Sequence, residues 1–287
     1  MRQADQVRAF MFEGLGIRGR LVRMDQTWRE IIARHDYSDD VRTLLAEAAT
    51  AGVLLADNLK GRGSLHLQLQ GDGEVHMVLV QCNAGLNVRA VARGEVNAAR
   101  GVPTELLGGG RMMVTVDPGG GADRYQGIVP LAGETLADCF EDYFRDSQQT
   151  LTRLWLGGIG GSAVGLMLQR MPDAEIDEEQ WRTLGMLADT VRLSELAELP
   201  AGELLRRLFV EYDIRLFDAR PVGYDCRCTR AHLANVVRLL GEGEVTDILR
   251  EQGRLELTCE FCNKAFRFQP DEVDAVFARR DADDTLH

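Results

Sequence analysis

Four of the six cysteines in this 287-residue chain fall into two close pairs, Cys226 and Cys228 in "GYDCRCTR" and Cys259 and Cys262 in "TCEFCNKAF". A C-x-C and a C-x-x-C brought together by a folded insert are the usual way to build a tetrahedral four-thiolate zinc site. Four thiolates on one Zn²⁺ carry a net charge of about −2. Arg227, Arg230, Lys264 and Arg267 lie close in sequence to offset it. His232 is an alternative ligand, although a lone histidine on an amphipathic helix reads as an exposed one.

Three uses of such a cluster remain open on spacing alone. The first is a static structural ribbon. The second is a redox switch, because a disulfide closed within C-x-C makes a small, strained ring that is readily reduced again. The third is catalytic thiol–disulfide exchange, which favours a C-x-x-C at a helix start within a βαβ unit; here "RLELT" precedes the pair and "FRF" follows it. Magnitudes show what oxidation would do: structural zinc is worth on the order of 10–16 kcal/mol, whereas whole domains are stable by about 5–15 kcal/mol. A small module that loses its zinc should unfold. Cys82 and Cys139 stand apart and fit small core residues.

The elements that must position the cluster come next. Between the pairs, "TRAHLANVVRLLGEGEVTDILREQG" has helical periodicity with Gly241 as a stop. Upstream, residues 38–60 read as a helix with a broad buried face, opened by a Ser38 N-cap and two acids. "SLHLQLQ" alternates as a half-buried strand, "GDG" supplies a turn, and "EVHMVLVQC" starts the return strand of a hairpin. "RMMVTV" and "RYQGIV" predict further strands. Leu136, Cys139, Phe140 and Tyr143 then fall on one helical stripe. Strand runs mixed with helices, without regular alternation, predict an α+β main domain with antiparallel strands. Residues 173–213 carry helical spacing on an acidic background, punctuated by Pro200, and read either as a connector or as helices packed on the main domain. "GIGGSA", 158–163, reads as a glycine turn between strands rather than a cofactor loop, because only eight residues separate Ala163 from Pro172.

Composition narrows the function. With 45% apolar residues the chain can fill a core, and no apolar run approaches the roughly eighteen residues of a spanning helix. A net charge of −12 argues against nucleic acid, whose capture needs clustered cations. The charged N-terminus lacks a secretory signal, so the expected compartment is a reducing cytoplasm. No P-loop, nucleophile elbow or zinc-protease motif is present, and no enzymatic activity is expected.

These residues resemble the redox-regulated 33-kDa heat-shock chaperone family of bacteria, heat shock protein 33. The match runs nearly end to end, through "RGRLV", "HDY", "LLAEAATAGVLLADNLK", "LQLQGDG", "RYQGIV", "CFEDYF", "LQRMP" and the two cysteine pairs. The resemblance implies a cytoplasmic, ATP-independent holdase, inactive when reduced with one Zn²⁺ per chain on Cys226, Cys228, Cys259 and Cys262. Oxidative stress would form the disulfides Cys226–Cys228 and Cys259–Cys262, release zinc and unfold the C-terminal module and adjacent linker. The activated form would be a homodimer that holds unfolding client proteins, with no nucleic-acid or membrane partner. The implied organisation is a chaperone core over 1–176, an amphipathic helical linker over 177–222 and a zinc-binding redox-switch domain over 223–287. The alternatives are a static zinc-bearing interaction module and a thiol–disulfide oxidoreductase.

Overall fold

The computed structural model describes residues 4–59, 61–172, 174 and 177–283. The chain divides into two units, Met1–Asp225 and Cys226–His287. The first begins β1 (Gln6–Phe12), β2 (Ile17–Met24), α1 (Gln26–Ile32), α2 (Asp39–Ala56), β3 (Ser64–Gly71), β4 (Val75–Asn83) and β5 (Asn87–Gly94). It continues with α3 (Pro103–Leu107), β6 (Gly110–Asp117), β7 (Tyr125–Pro130), α4 (Leu136–Gln148), β8 (Thr152–Ile159) and β9 (Ser162–Arg170). It ends with α5 (Glu178–Ala188), α6 (Leu193–Glu198), α7 (Ala201–Leu208), β10 (Ile214–Pro221) and β11 (Gly223–Tyr224).

These strands form two sheets, one of five in the order β10-β1-β2-β9-β8 and one of six in the order β11-β5-β4-β3-β6-β7. Pairing is antiparallel except for the short β11–β5 contact, which fits the α+β class. The expected hairpin forms with Leu67 opposite Val80, and "RMMVTV" and "RYQGIV" pair as β6 and β7.

Helix α2 touches both sheets, and small residues make this feasible. A Cβ on Gly52 of α2 would fall 2.7 Å from Val80 of the six-stranded sheet; on the helix's other flank, a Cβ on Gly165 of β9 would fall 2.5 Å from Thr50 Cγ2. Leu44, Leu45, Ala48, Ala49 and Leu54 are therefore fully enclosed. The expected Ser38 cap is formed, its hydroxyl accepting from the Val41 amide at 3.2 Å. The helix ends at Ala56, and Lys60, the last residue of the expected span, lies outside the described residues.

Strand β9 serves two cores by its period of two. Ala163 and Met167 enter the core around α2, whereas Val164, Leu166 and Leu168 enter a second core on the sheet's opposite face. There Phe10, Phe12, Ile17 and Leu21 meet Leu184, Ala188, Leu196, Leu204, Leu205, Leu208 and Phe209 of the α5–α7 segment.

One expectation is corrected here. The helical description of 177–222 holds only to Leu208, because Ile214–Pro221 is a strand paired with β1. After Phe209 the period changes to two, with Ile214 and Leu216 half-buried and Arg215 and Phe217 exposed, and the open edge of β1 supplies the pairing partner. Residues 173, 175 and 176, next to the expected boundary at 176, lie outside the described residues.

The second unit contains α8 (Arg230–Leu240), α9 (Glu242–Gln252), the hairpin β12 (Leu255–Thr258) and β13 (Ala265–Phe268), and α10 (Pro270–Asp283). Thr229 caps α8 through the His232 amide, and Gly241, at φ +91°, breaks the segment into two helices. Leu233, Val237, Val245, Leu255, Phe266, Phe268 and Val273 make its small core.

Candidate functional site

The four cysteines converge within the second unit, their sulfurs all within 4.8 Å of one another. Cys226 and Cys228 come from the extended segment before α8, and Cys259 and Cys262 from the β12–β13 turn. That turn closes through the Asn263 amide to the Cys259 carbonyl at 2.8 Å and the Cys259 amide to the Lys264 carbonyl at 3.0 Å. Asn263 sits in the left-handed region at φ +58°, a conformation that asparagine tolerates well. The Lys264 amide reaches the Cys262 sulfur.

Cys226 Sγ lies 3.6 Å from Cys259 Sγ, and Cys228 Sγ 3.3 Å from Cys262 Sγ. Zn–S bonds of about 2.3 Å in a tetrahedron place sulfurs about 3.8 Å apart, so the donor set fits a zinc ion closely. Without a cation, burial followed by hydrogen bonding among the thiols pushes Cys228 far above the usual thiol range, and burial likewise raises Cys262. Four anionic sulfurs so close together need a cation between them. The four residues could hold a metal ion.

The surrounding charges are arranged differently from the expectation. Arg230 pairs with Glu272 at 2.6 Å and lies over the Phe268 ring, while Arg267 pairs with Glu256 at 2.7 Å. Both guanidiniums are engaged by carboxylates, so they brace the hairpin and α10 rather than offset the sulfurs. Lys264 lies over Phe266 at 5.1 Å. His232 is exposed on the first turn of α8 and outside the cluster. Cys82 and Cys139 are buried in β4 and α4, and burial raises Cys82 to about 12.

A second feature is the face of the five-stranded sheet under α5–α7. Phe10, Phe12, Ile17, Leu21, Val164, Leu166 and Leu168 are each at most 7% exposed. Exposing seven such side chains would cost roughly 10–20 kcal/mol. The cover is built from segments of eleven, six and eight residues. Helices this short are marginal in water, so their helicity depends on the sheet beneath them. The alternation of Arg and apolar residues in β1 and β2 hid this face in the sequence. "GIGGSA" forms the β8–β9 turn, with Gly160 and Gly161 at φ +57° and +83°.

A family profile described as Hsp33 protein matches residues 5–269. The 33 kDa chaperonin of Methylobacillus flagellatus is 39% identical over 280 residues, covering 96% of this chain and 94% of that protein. The 33 kDa chaperonin of Nitrosococcus oceani is 38% identical over 280 residues, covering 98% and 96%. The crystal structure of the Thermotoga maritima 33 kDa chaperonin shares the fold, with a TM-score of 0.82 at 22% identity over 96% of this chain and 99% of that one. Among the described residues no helix is long and apolar enough to cross a membrane. End-to-end coverage by the family, a matching fold and four converging thiols together establish that this chain belongs to the Hsp33 family and is a chaperone of that type.

Proposed function

We propose that this protein is a cytoplasmic, ATP-independent holdase switched on by oxidation of Cys226, Cys228, Cys259 and Cys262. The observation that carries this reading is the four-thiol cluster, whose sulfur spacing suits one Zn²⁺ per chain. When bound, the ion would hold four thiolates together and supply folding free energy on the order of 10–16 kcal/mol to a small module. Cys226 with Cys228 and Cys259 with Cys262 then give up four electrons to two molecules of peroxide. Two disulfides form, four protons are taken up, four waters are produced and the ligand set is lost.

Without its ligands the module unfolds, since the small core around Val237 and Phe268 cannot replace that stabilisation. In the activated state the α5–α7 cover leaves the sheet, and Phe10, Phe12, Leu21, Leu166 and Leu168 present an apolar face to unfolding clients. Two activated copies associate as a homodimer. No catalytic step is involved, because the client is held and not transformed.

Light scattering from a heat-aggregating client tests the proposal. Reduced, zinc-loaded protein should not suppress aggregation, and peroxide-treated, warmed protein should, with dithiol and zinc restoring the inactive state. Equal failure of both forms would leave a static zinc module; turnover of a disulfide substrate would indicate an oxidoreductase.

A further inference from the structure

The residues between α7 and the cysteine module are tied by strand pairing and by polar contacts to a buried carboxylate, whereas the helices before them rest on side-chain packing and on exposed polar pairs. Arg220 of β10 donates to the Asp57 carboxylate at 2.6 Å, to the Asp57 carbonyl at 2.9 Å and to the Ala84 carbonyl at 2.7 Å. Arg220 is 43% exposed, but the Asp57 side chain, 6% exposed, ends helix α2 and takes Arg20 Nε on its other oxygen at 2.7 Å. One side chain of β10 therefore ties the five-stranded sheet to the end of α2 and to the β4–β5 turn.

The next residues continue the anchorage. Val222 is buried in the core around α2, its amide donating to the Asp5 carbonyl at 3.0 Å. The Gly223 amide donates to the Leu86 carbonyl at 3.1 Å, and β11 lies parallel to β5. The polar ties between α5–α7 and the sheet are of another kind. Asp189 meets Arg153 at 2.9 Å and the Trp155 indole at 3.0 Å, in a pair whose side chains are 48% and 37% exposed. Exposed ion pairs hold weakly, whereas a buried carboxylate is costly to strip of a partner.

Resting on the holdase reading above, we propose that the segment released on activation is α5–α7 alone, and that Ile214–Tyr224 stays bound as part of the folded body. The freed surface is then bordered by an intact β10. The cover is released from its place as a closed loop fixed at both ends, at β9 and at β10, and not as a free tail running into the unfolded module.

Hydrogen exchange read by mass spectrometry on the full chain tests this in two arms. In the reduced, zinc-loaded protein, titrated with low denaturant, amides of 178–208 should open together in an early step while those of β10 follow β1. In the peroxide-treated, warmed protein, 178–208 should lose protection and 214–224 keep it. Arg220→Met should raise exchange in β10 by about tenfold or more while leaving α5–α7 unchanged, and Arg206→Met, at an exposed site, should not. Opening of β10 together with α5–α7 in either arm would overturn the proposal, as would unchanged β10 exchange in Arg220→Met. If peroxide opens neither segment and no client is held, the redox reading fails; the reduced arm still decides the anchorage.

Discussion

Cys228 Sγ approaches Cys262 Sγ to 3.3 Å, a contact that joins the two pairs. The proposed disulfides, Cys226–Cys228 and Cys259–Cys262, would instead each join two cysteines close in sequence. In an unfolded module, closing a loop across residues 229–258 is entropically costlier than closing one within a pair, by about 0.6 kcal/mol per doubling of length. Peptide mapping after peroxide and warming is expected to give the two within-pair disulfides. A Cys228–Cys262 crosslink as the main product would mean oxidation inside a folded cluster and would remove the unfolding step.

Cys262→Ser removes a buried candidate ligand, and zinc content is expected to fall from one per chain to near none, with loss of helical signal from the module. The variant is expected to suppress client aggregation without peroxide. Metal analysis and the scattering assay on one sample check both points; a zinc-free variant that remains inactive would disconnect the module from control.

Gly202 lies near the start of α7, where an added Cβ would sit 3.8 Å from Leu216 Cδ2, an ordinary contact. Gly202→Ala should strengthen the cover by about 0.5–1 kcal/mol, lowering its released population about two- to fivefold. Leu205→Ala, at a site 3% exposed, should loosen it by about 2–5 kcal/mol. Activation temperature after oxidation should rise in the first variant and fall in the second. Shifts in the same direction in both would exclude the cover as the gate.

Glu47 on α2 has no hydrogen-bond or ion-pair partner among the described residues, and burial pushes its carboxyl up to about 8 from an ordinary 4.5. The folded state thus holds this proton more tightly than the unfolded chain does. The stabilising contribution is complete below about pH 4.5, declines as pH rises and is lost by about pH 8. The span corresponds to a loss on the order of 5 kcal/mol. Urea unfolding at several pH values should show Glu47→Gln flattening this decline, and an unaltered slope would assign it to other groups.

Gly165→Ala brings a Cβ to 2.5 Å from Thr50 and 3.1 Å from the Trp155 carbonyl, both in fully packed surroundings. A loss of about 1–3 kcal/mol in the first unit is expected. Gly243→Ala in α9, with open space around the site, should be neutral or slightly stabilising. Comparable effects at the two sites would contradict the close approach of α2 to β9.

Local chemistry made the cysteine cluster, the Ser38 cap, the β3–β4 hairpin and the glycine turn at 160–161 readable from sequence, because each rests on neighbouring residues. The strands of the five-stranded sheet were harder. Arg8, Arg18, Arg20 and Arg23 interrupt the apolar pattern of β1 and β2, and Arg20 is buried only because Asp57, distant in sequence, receives it. Strand β10 depends on an open edge of β1 formed more than two hundred residues earlier. The carboxylate partners of Arg230 and Arg267 were likewise hidden, since Glu272 and Glu256 meet them only across the folded hairpin.

The division of β9 between two cores bears on recovery after stress. An antiparallel sheet with one face covered by α2 is a two-layer arrangement of the kind that can leave its other face to solvent. Under the proposed release of α5–α7 alone, no strand would have to find its partner again across the length of the chain once the oxidant is gone, which is the slow part of β-protein folding. In the first unit, only three short helices would then have to re-form on a waiting template, and helices form within about a microsecond. Resetting that unit is then limited by how quickly the client departs and the thiols are regenerated.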